Sequence, residues 1–289
     1  MPPVATTDDG VPVAWYELGE DARGGRPALL LAHATGFHGR AFAPLAMALS
    51  GFRCIAFDER GHGATPPRND ASFDWNGFAR DVLAVVDAAG VAGRALGFGH
   101  SAGGAALLLA ELARPGTFRA IYCYEPIVHP ADELPAVTSD NPMSAAARRR
   151  RDVFPSKDAA YDNYASKPPM ASFHPDALRA YVDHGFEDVP VGEGEGVRLR
   201  CRPEWEARTY EMGTRHGAFG RLGEVACPVT IAWGSETTTF WPGAFEQQLT
   251  RVRHGRGERF DGLGHFGPFE APDRVAESVQ RAFATLAGA

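Results

Sequence analysis

The stretch Gly97-Phe98-Gly99-His100-Ser101-Ala102-Gly103-Gly104 holds two chemistries that exclude each other. Gly97, Gly99 and Ala102 satisfy a relaxed dinucleotide fingerprint, in which glycines let the backbone turn tightly and approach a pyrophosphate at a helix N-terminus. The segment Gly99-His100-Ser101-Ala102-Gly103 is equally a G-x-S-x-G turn, which presents a nucleophilic serine at a sharp strand-to-helix bend. A serine hydroxyl attacks poorly until a histidine takes its proton. That histidine in turn needs a carboxylate to fix its tautomer and stabilise the imidazolium. The nucleotide reading asks instead for a ribose-binding carboxylate, and Glu125 stands near the end of the next strand-like run.

The rest of the chain supplies partners for the serine. In "GLGHFGPFEAPDRV", His265 falls between the last strand-like run and the closing helix, and Gly262, Gly264 and Gly267 let its loop turn sharply. An acyl-transfer site also needs two backbone N–H groups facing the developing oxyanion. One is expected from Ala102, the residue after the serine, at a helix N-terminus whose dipole adds to the effect. The other is expected from Thr35 in "LLLAHATGFHGR", where a buried run ends at His33. His100 reads as packing beside the nucleophile, and His62 in "RGHG" as a turn residue. The nucleotide reading gives Ser101 no role, and at least two strands precede a fingerprint that normally occupies the first strand-helix turn.

Elements that could position these residues are visible as runs. "PALLLAHA" (27–34), "FRCIAFD" (52–58), "RALGFGH" (94–100), "FRAIYCYE" (118–125) and "CPVTIAWG" (227–234) are near-continuous apolar runs, as strands buried on both faces of a parallel sheet require; "ERFDG" (258–262) adds one more. Trp75, Phe78, Val82, Val85 and Val86 recur at helical spacing, and "AGGAALLLAELA" is apolar nearly all round. The closing helix opens near Pro272 and aligns Val275, Val279, Ala282, Phe283 and Leu286 on one face. Strand and helix alternate, so the expected fold class is α/β, a doubly wound, mostly parallel sheet. Residues 127–224 break the alternation: "SAAARRRRDVF" and "DALRAYVDHG" read as helices and "VPVGEGEGVRLR" as a glycine-rich loop. The expected organisation is a core of residues 1–126 and 225–289, interrupted late by a helical cap at 127–224.

Composition narrows the class. The 289 residues are 44% hydrophobic and 22% charged, ordinary for a soluble globular chain, and the net charge of −7 argues against a general nucleic-acid binder. Cys54, Cys123, Cys201 and Cys227 form no C-x-x-C pair, so a disulfide scaffold is not expected. No basic segment followed by an apolar stretch opens the chain, and no apolar run approaches a membrane helix. A soluble, cytoplasmic protein without membrane or nucleic-acid partners is expected. No H-E-x-x-H or paired Cys/His spacing is present, so neither a metal site nor another cofactor is expected. Oligomeric state leaves no trace in the sequence.

The motifs "HATGF", "DERGHG", "GHSAGG", "YEPIV", "WGSE" and "GLGHFGPFEAP", in this order, resemble the α/β-hydrolase superfamily in its cap-bearing branch. The resemblance implies a Ser101–His265 catalytic pair beneath a helical lid. The chain departs from it where many members carry an aspartate three residues past the glycine of "VTIAWG": here stands Thr237. Two carboxylates are open as the acid. Glu125, favoured, ends the "AIYCYE" strand, as in branches such as the haloalkane dehalogenases; Glu236 is the alternative. The run Arg148 to Arg151 reads as a solvated helix face, or else one arginine points under the lid toward a substrate carboxylate. Trp205, Phe154, Trp241 and Phe240 line the pocket or pack the cap. The expected activity is a serine hydrolase acting on a carboxylic ester, lactone or thioester as small-molecule acyl substrate. Cofactor-free C–C bond hydrolysis and a non-catalytic small-molecule binder are the alternatives, the latter supported by Thr237.

Overall fold

The apolar runs become the centre of an eight-stranded sheet. The computed structural model describes residues 1–19, 25–70, 72–130, 142–191, 194–213 and 215–284. Along the chain come β1 (Val4–Thr6), β2 (Pro12–Leu18), β3 (Ala28–Ala32), α1 (Ala43–Ala48), β4 (Arg53–Phe57), α2 (Trp75–Ala88), β5 (Ala95–His100), α3 (Ala102–Ala113) and β6 (Phe118–Tyr124). An inserted segment follows, with α4 (Pro142–Arg148), β7 (Val153–Phe154), α5 (Lys157–Ala165), α6 (Pro175–Gly185), β8 (Phe186–Val191), β9 (Gly194–Leu199), α7 (Pro203–Met212) and α8 (Ala218–Arg221). The chain then returns to the sheet through β10 (Val229–Gly234), α9 (Ala244–Arg251), β11 (Gly255–Phe260), α10 (Gly267–Glu270) and α11 (Pro272–Phe283).

The strand order is β1-β2-β4-β3-β5-β6-β10-β11. The β1–β2 and β2–β4 pairs are antiparallel, and every later pair is parallel. Neighbouring side chains on a strand point to opposite faces. Leu30 therefore joins α2 and α3 in one apolar layer, while Leu29 and Leu31 join α1 and α11 in the other. This is why β3 and β5 are buried at every residue. The strand order reverses between β3 and β5, so the chain leaves their C-terminal ends toward opposite faces of the sheet, the place where doubly wound sheets bind ligands. Ser101 and Thr35 both lie at that end.

Four expectations need correction. The antiparallel pair β1–β2 was not foreseen: half its side chains face solvent, so it lacks the continuous apolar signature of the central strands. The inserted segment is not purely helical, because β7, β9 and β8 form a small antiparallel sheet. "VPVGEGEGVRLR" is thus mostly a hairpin, not a loop: Phe186, Val197 and Leu199 bury one face of it despite the low strand propensity of its glycines. The helix expected through Phe154 ends at Arg148, and Phe154 instead pairs with Val197 in strand β7. Leu286, expected on the apolar face of α11, lies outside the described residues.

Candidate active site

Ser101 sits between the last residue of β5 and the first of α3, with φ of 54° and ψ of −113°. Positive φ is strained for a residue with a side chain, roughly 1–3 kcal/mol. It persists here because the surrounding backbone is pinned. Ser101 N–H donates to Tyr124 O at 2.9 Å, and Ser101 O accepts from Ile127 N–H at 3.2 Å. The flanking glycines permit the bend. A Cβ on Gly99 would lie 2.6 Å from Gly104 N, and one on Gly103 would lie 2.2 Å from Ala32 O. The space these glycines leave is filled by the protein's own backbone, not held open for a pyrophosphate.

Glu125, one residue past β6, is the other non-glycine residue with positive φ among the described residues, at 46°. Its carboxylate is fully buried and receives three hydrogen bonds: from Gly234 N–H to Oε1 (2.9 Å), and from Thr237 Oγ1 (2.8 Å) and His265 Nδ1 (2.7 Å) to Oε2. An ionised carboxylate only accepts, so the proton of this last bond sits on Nδ1 and the Nε2 lone pair of His265 is free. The position where Thr237 replaced an expected aspartate therefore contributes to the acid's environment through a hydroxyl. Glu236, by contrast, is exposed, accepts from Ser235 Oγ at 3.0 Å and makes no bond to His265. The alternative acid is not brought to the histidine, because its side chain leaves the turn on the solvent side.

The histidine loop is held from below. His100 is buried, which holds its pKa well below the usual histidine range; its neutral ring donates from Nε2 to His265 O at 2.8 Å. Tyr124 OH donates to Gly264 O at 2.9 Å, and Gly264 N–H donates to Glu270 at 2.8 Å. A Cβ on Gly234 would lie 2.1 Å from Leu263 O, so the end of β10 lets this loop settle directly on it. Ser101 Oγ and His265 make no hydrogen bond with each other in this structure.

Thr35 lies in a turn in which Phe37 N–H donates to Ala34 O at 3.1 Å, with Gly36 at φ of 80° in the position that requires it. His33 braces the turn: Nε2 accepts from Glu59 N–H at 2.9 Å, leaving Nδ1 to donate to Ala34 O at 2.8 Å. Neither the Thr35 nor the Ala102 N–H has an acceptor among the described residues. "DERGHG" is a buried brace below them. Asp58 accepts from Gly39 N–H, Ala64 N–H and Tyr16 OH, and Arg60 is fully buried between Asp81 and Asp9. His62 is in a turn, as expected, but wholly buried.

Of the four arginines, Arg148, Arg149 and Arg151 are exposed, whereas Arg150 turns inward to pair with Glu206 at 2.8 Å. They do not share one helix face, since the chain leaves α4 at Arg148. Phe240 stands at the site, its ring 6.0 Å from that of His265; Phe154 is buried against Tyr164 and Phe186. The Trp241 ring lies 4.9 Å from that of His129 at a tilt of 59°, and the Trp205 Cβ lies against Gly61. The four cysteines are buried and free. Among the described residues no group of three or more His, Cys, Asp or Glu is arranged to hold a metal, and no helix is long and apolar enough to cross a membrane. Sequence reasoning missed Thr237 as a partner of Glu125, and missed the Arg150–Glu206 pair. The first had a signal, an odd residue at a marked position; the second had none, because Glu206 is far from Arg150 in the chain.

A sequence model described as the alpha/beta hydrolase family matches residues 29–278, from β3 into α11. The chain belongs to this family. Solved alpha/beta folds are similar over nearly the whole length. The structure of E-2-(acetamidomethylene)succinate hydrolase superposes with a TM-score of 0.75 at 21% identity, covering 96% of this chain and 97% of that one. The enol-lactonase from Burkholderia xenovorans gives 0.71 at 18% identity, covering 98% and 100%. A thermophilic esterase from Thermogutta terrifontis gives 0.74 at 16% identity, covering 98% of each. At these identities the likeness concerns the fold. This family member carries its buried carboxylate after β6 and a threonine after β10.

Proposed function

We propose that this chain is a serine hydrolase that cleaves a carboxylic ester, or a related acyl compound such as a lactone or thioester, through an acyl-enzyme on Ser101. The single observation that carries the reading is the Glu125–His265 hydrogen bond of 2.7 Å, made by a fully buried carboxylate, with the histidine's Nε2 left free at the sheet end that bears Ser101. It is supported by the two unpaired amides of Thr35 and Ala102 and by neighbours described as an esterase and an enol-lactonase.

In this mechanism His265 Nε2 takes the Ser101 proton as Oγ attacks the carbonyl carbon. Glu125 keeps the imidazole in its Nδ1–H tautomer and stabilises the imidazolium, helped by the Thr237 hydroxyl and the Gly234 amide. The oxyanion is met by the Thr35 and Ala102 N–H groups, already oriented and so requiring little reorganisation. His265 returns its proton to the leaving oxygen or sulfur, the acyl-enzyme forms, and water activated by the same Nε2 releases the acid. The segment at 127–224 acts as a cap over the site and supplies substrate selection. The non-catalytic binder rests on Thr237 alone, and the hydrogen bond from Thr237 Oγ1 to Glu125 favours the enzyme reading over it.

The test is pre-steady-state hydrolysis of p-nitrophenyl butyrate. A burst of p-nitrophenol, with a butyryl adduct on the Ser101 peptide that is lost in Ser101→Ala, is expected. Turnover that survives Ser101→Ala undiminished would overturn the reading.

A further inference from the structure

The turn that carries Thr35 is gripped by the inserted segment on every open side of Gly36. Tyr181 of α6, wholly buried, donates from its hydroxyl to Gly36 O at 3.2 Å. Gly36 N–H faces the buried thiol of Cys201, just before α7. The Cα is covered as well: a Cβ there would lie 2.6 Å from Glu206 Oε1 and 3.4 Å from Arg150 Nη1. Arg150 joins these groups, donating to Glu206 Oε2 at 2.8 Å, to Tyr164 OH at 3.2 Å and to Tyr181 OH. Two residues along, His38 Nε2 donates to Tyr181 O at 3.0 Å. Thus α6 holds the turn from both its hydroxyl and its backbone.

We infer that Tyr181, Arg150 and Glu206 form a clasp through which the inserted segment sets the position of the Thr35 N–H, making Tyr181 and Arg150 positioning residues for the oxyanion step. The inference rests on the reading of Ser101 as nucleophile with Thr35 as an oxyanion donor. The physical reason is local. Thr35 O and Gly36 N belong to one peptide plane, and Gly36 O to the next, so fixing both planes fixes the amide preceding them in a tight turn. Glycine at Gly36 has no side chain to hold the bend by itself, so the restraint comes from the groups packed around it. Three of the five N–H groups of the Arg150 guanidinium are taken by an acidic partner and two hydroxyls. Its charge is met within the protein, which suits a brace and not a grip on a substrate carboxylate.

The experiment compares wild type, Tyr181→Phe, Arg150→Met and the double variant, with Arg148→Met as control. Arg148 also makes cap ion pairs, to Glu204 and Glu211, but on the outer face and away from Gly36. Tyr181→Phe deletes one oxygen and keeps the ring, so it remains informative even where Arg150→Met unfolds. Two rates are read on folded protein: fluorophosphonate addition to Ser101, and kcat and KM for p-nitrophenyl butyrate. The clasp predicts that Tyr181→Phe and Arg150→Met each lower kcat and the addition rate roughly 10- to 100-fold, the effect of a misplaced oxyanion donor, with KM nearly unchanged. The double variant falls little further than the worse single, because both act through one contact. Arg148→Met stays near wild type. Tyr181→Phe at the wild-type rate would overturn the clasp, as would a loss confined to KM, which would assign Arg150 to substrate. A wild type that takes no adduct and turns over no ester would instead overturn the nucleophile reading, and the clasp with it.

Discussion

In the proposed mechanism Glu125 and Thr237 divide between them the role expected of a single aspartate after β10. The carboxylate comes from β6, and the residue after β10 keeps a hydroxyl that donates to it at 2.8 Å. A neutral donor to a charged acceptor contributes about 1.5–3 kcal/mol. Thr237→Val should therefore lower kcat roughly 10- to 100-fold, measured with an activated ester, while leaving KM close to wild type; an unchanged kcat would show that Glu125 is held without it. Glu236→Gln, at an exposed residue, should leave kcat near wild type in the same assay. Ser101 and His265 were legible because their chemistry constrains neighbours as well: each sits among glycines at a fixed place in the chain. The acid was only half legible. Nothing in "YCYEP" distinguishes a carboxylate facing a histidine from one capping a turn, and that decision depends on φ at Glu125 and on the Gly234 amide across the sheet.

Close backbone approach governs the elements around the site. Gly103 lets the first turn of α3 rest on the end of β3, where an added Cβ would meet Ala32 O at 2.2 Å. Gly103→Ala should force the helix away, with a destabilisation of about 1–3 kcal/mol in urea unfolding and a slower reaction of Ser101. An alanine variant as stable as wild type would mean that the elbow is less tightly packed than its geometry requires. The central strands and the helices beside them were readable, since burial on both faces leaves an unbroken apolar run. The β8–β9 hairpin was not, because its glycines and Pro190 oppose strand propensity and only burial of Phe186, Val197 and Leu199 reveals which face is inside. The early stop of α4 at Arg148 was equally hidden, since the Arg150–Glu206 pair just beyond it joins residues far apart in the chain.

At the scale of the whole molecule, buried histidines couple stability to pH. His33, His38, His62, His100 and His129 are all buried, and burial lowers their pKa values, to about 4 for His38 and His129. The native state keeps these rings neutral, whereas the unfolded chain takes up protons below about 6.5. At these rings the unfolded state then binds more protons, so their contribution to stability is lost as pH falls from about 6.5 toward 4, by up to about 1.4 kcal/mol per pH unit for each ring; buried Asp58, Glu59 and Asp81, whose pKa values burial raises, offset part of this loss. Urea unfolding at a series of pH values across this window checks the sign; stability that is constant or rises on acidification would contradict it. The measurement that bears most directly on the central claim is the rate of fluorophosphonate addition, with the adduct located by peptide mass, in wild type, Glu125→Gln and Glu236→Gln. The account predicts one adduct on Ser101, slowed by roughly 10³- to 10⁴-fold in Glu125→Gln as befits a triad without its acid, and unslowed in Glu236→Gln. Equal rates in wild type and Glu125→Gln, or an adduct on another residue, would contradict it.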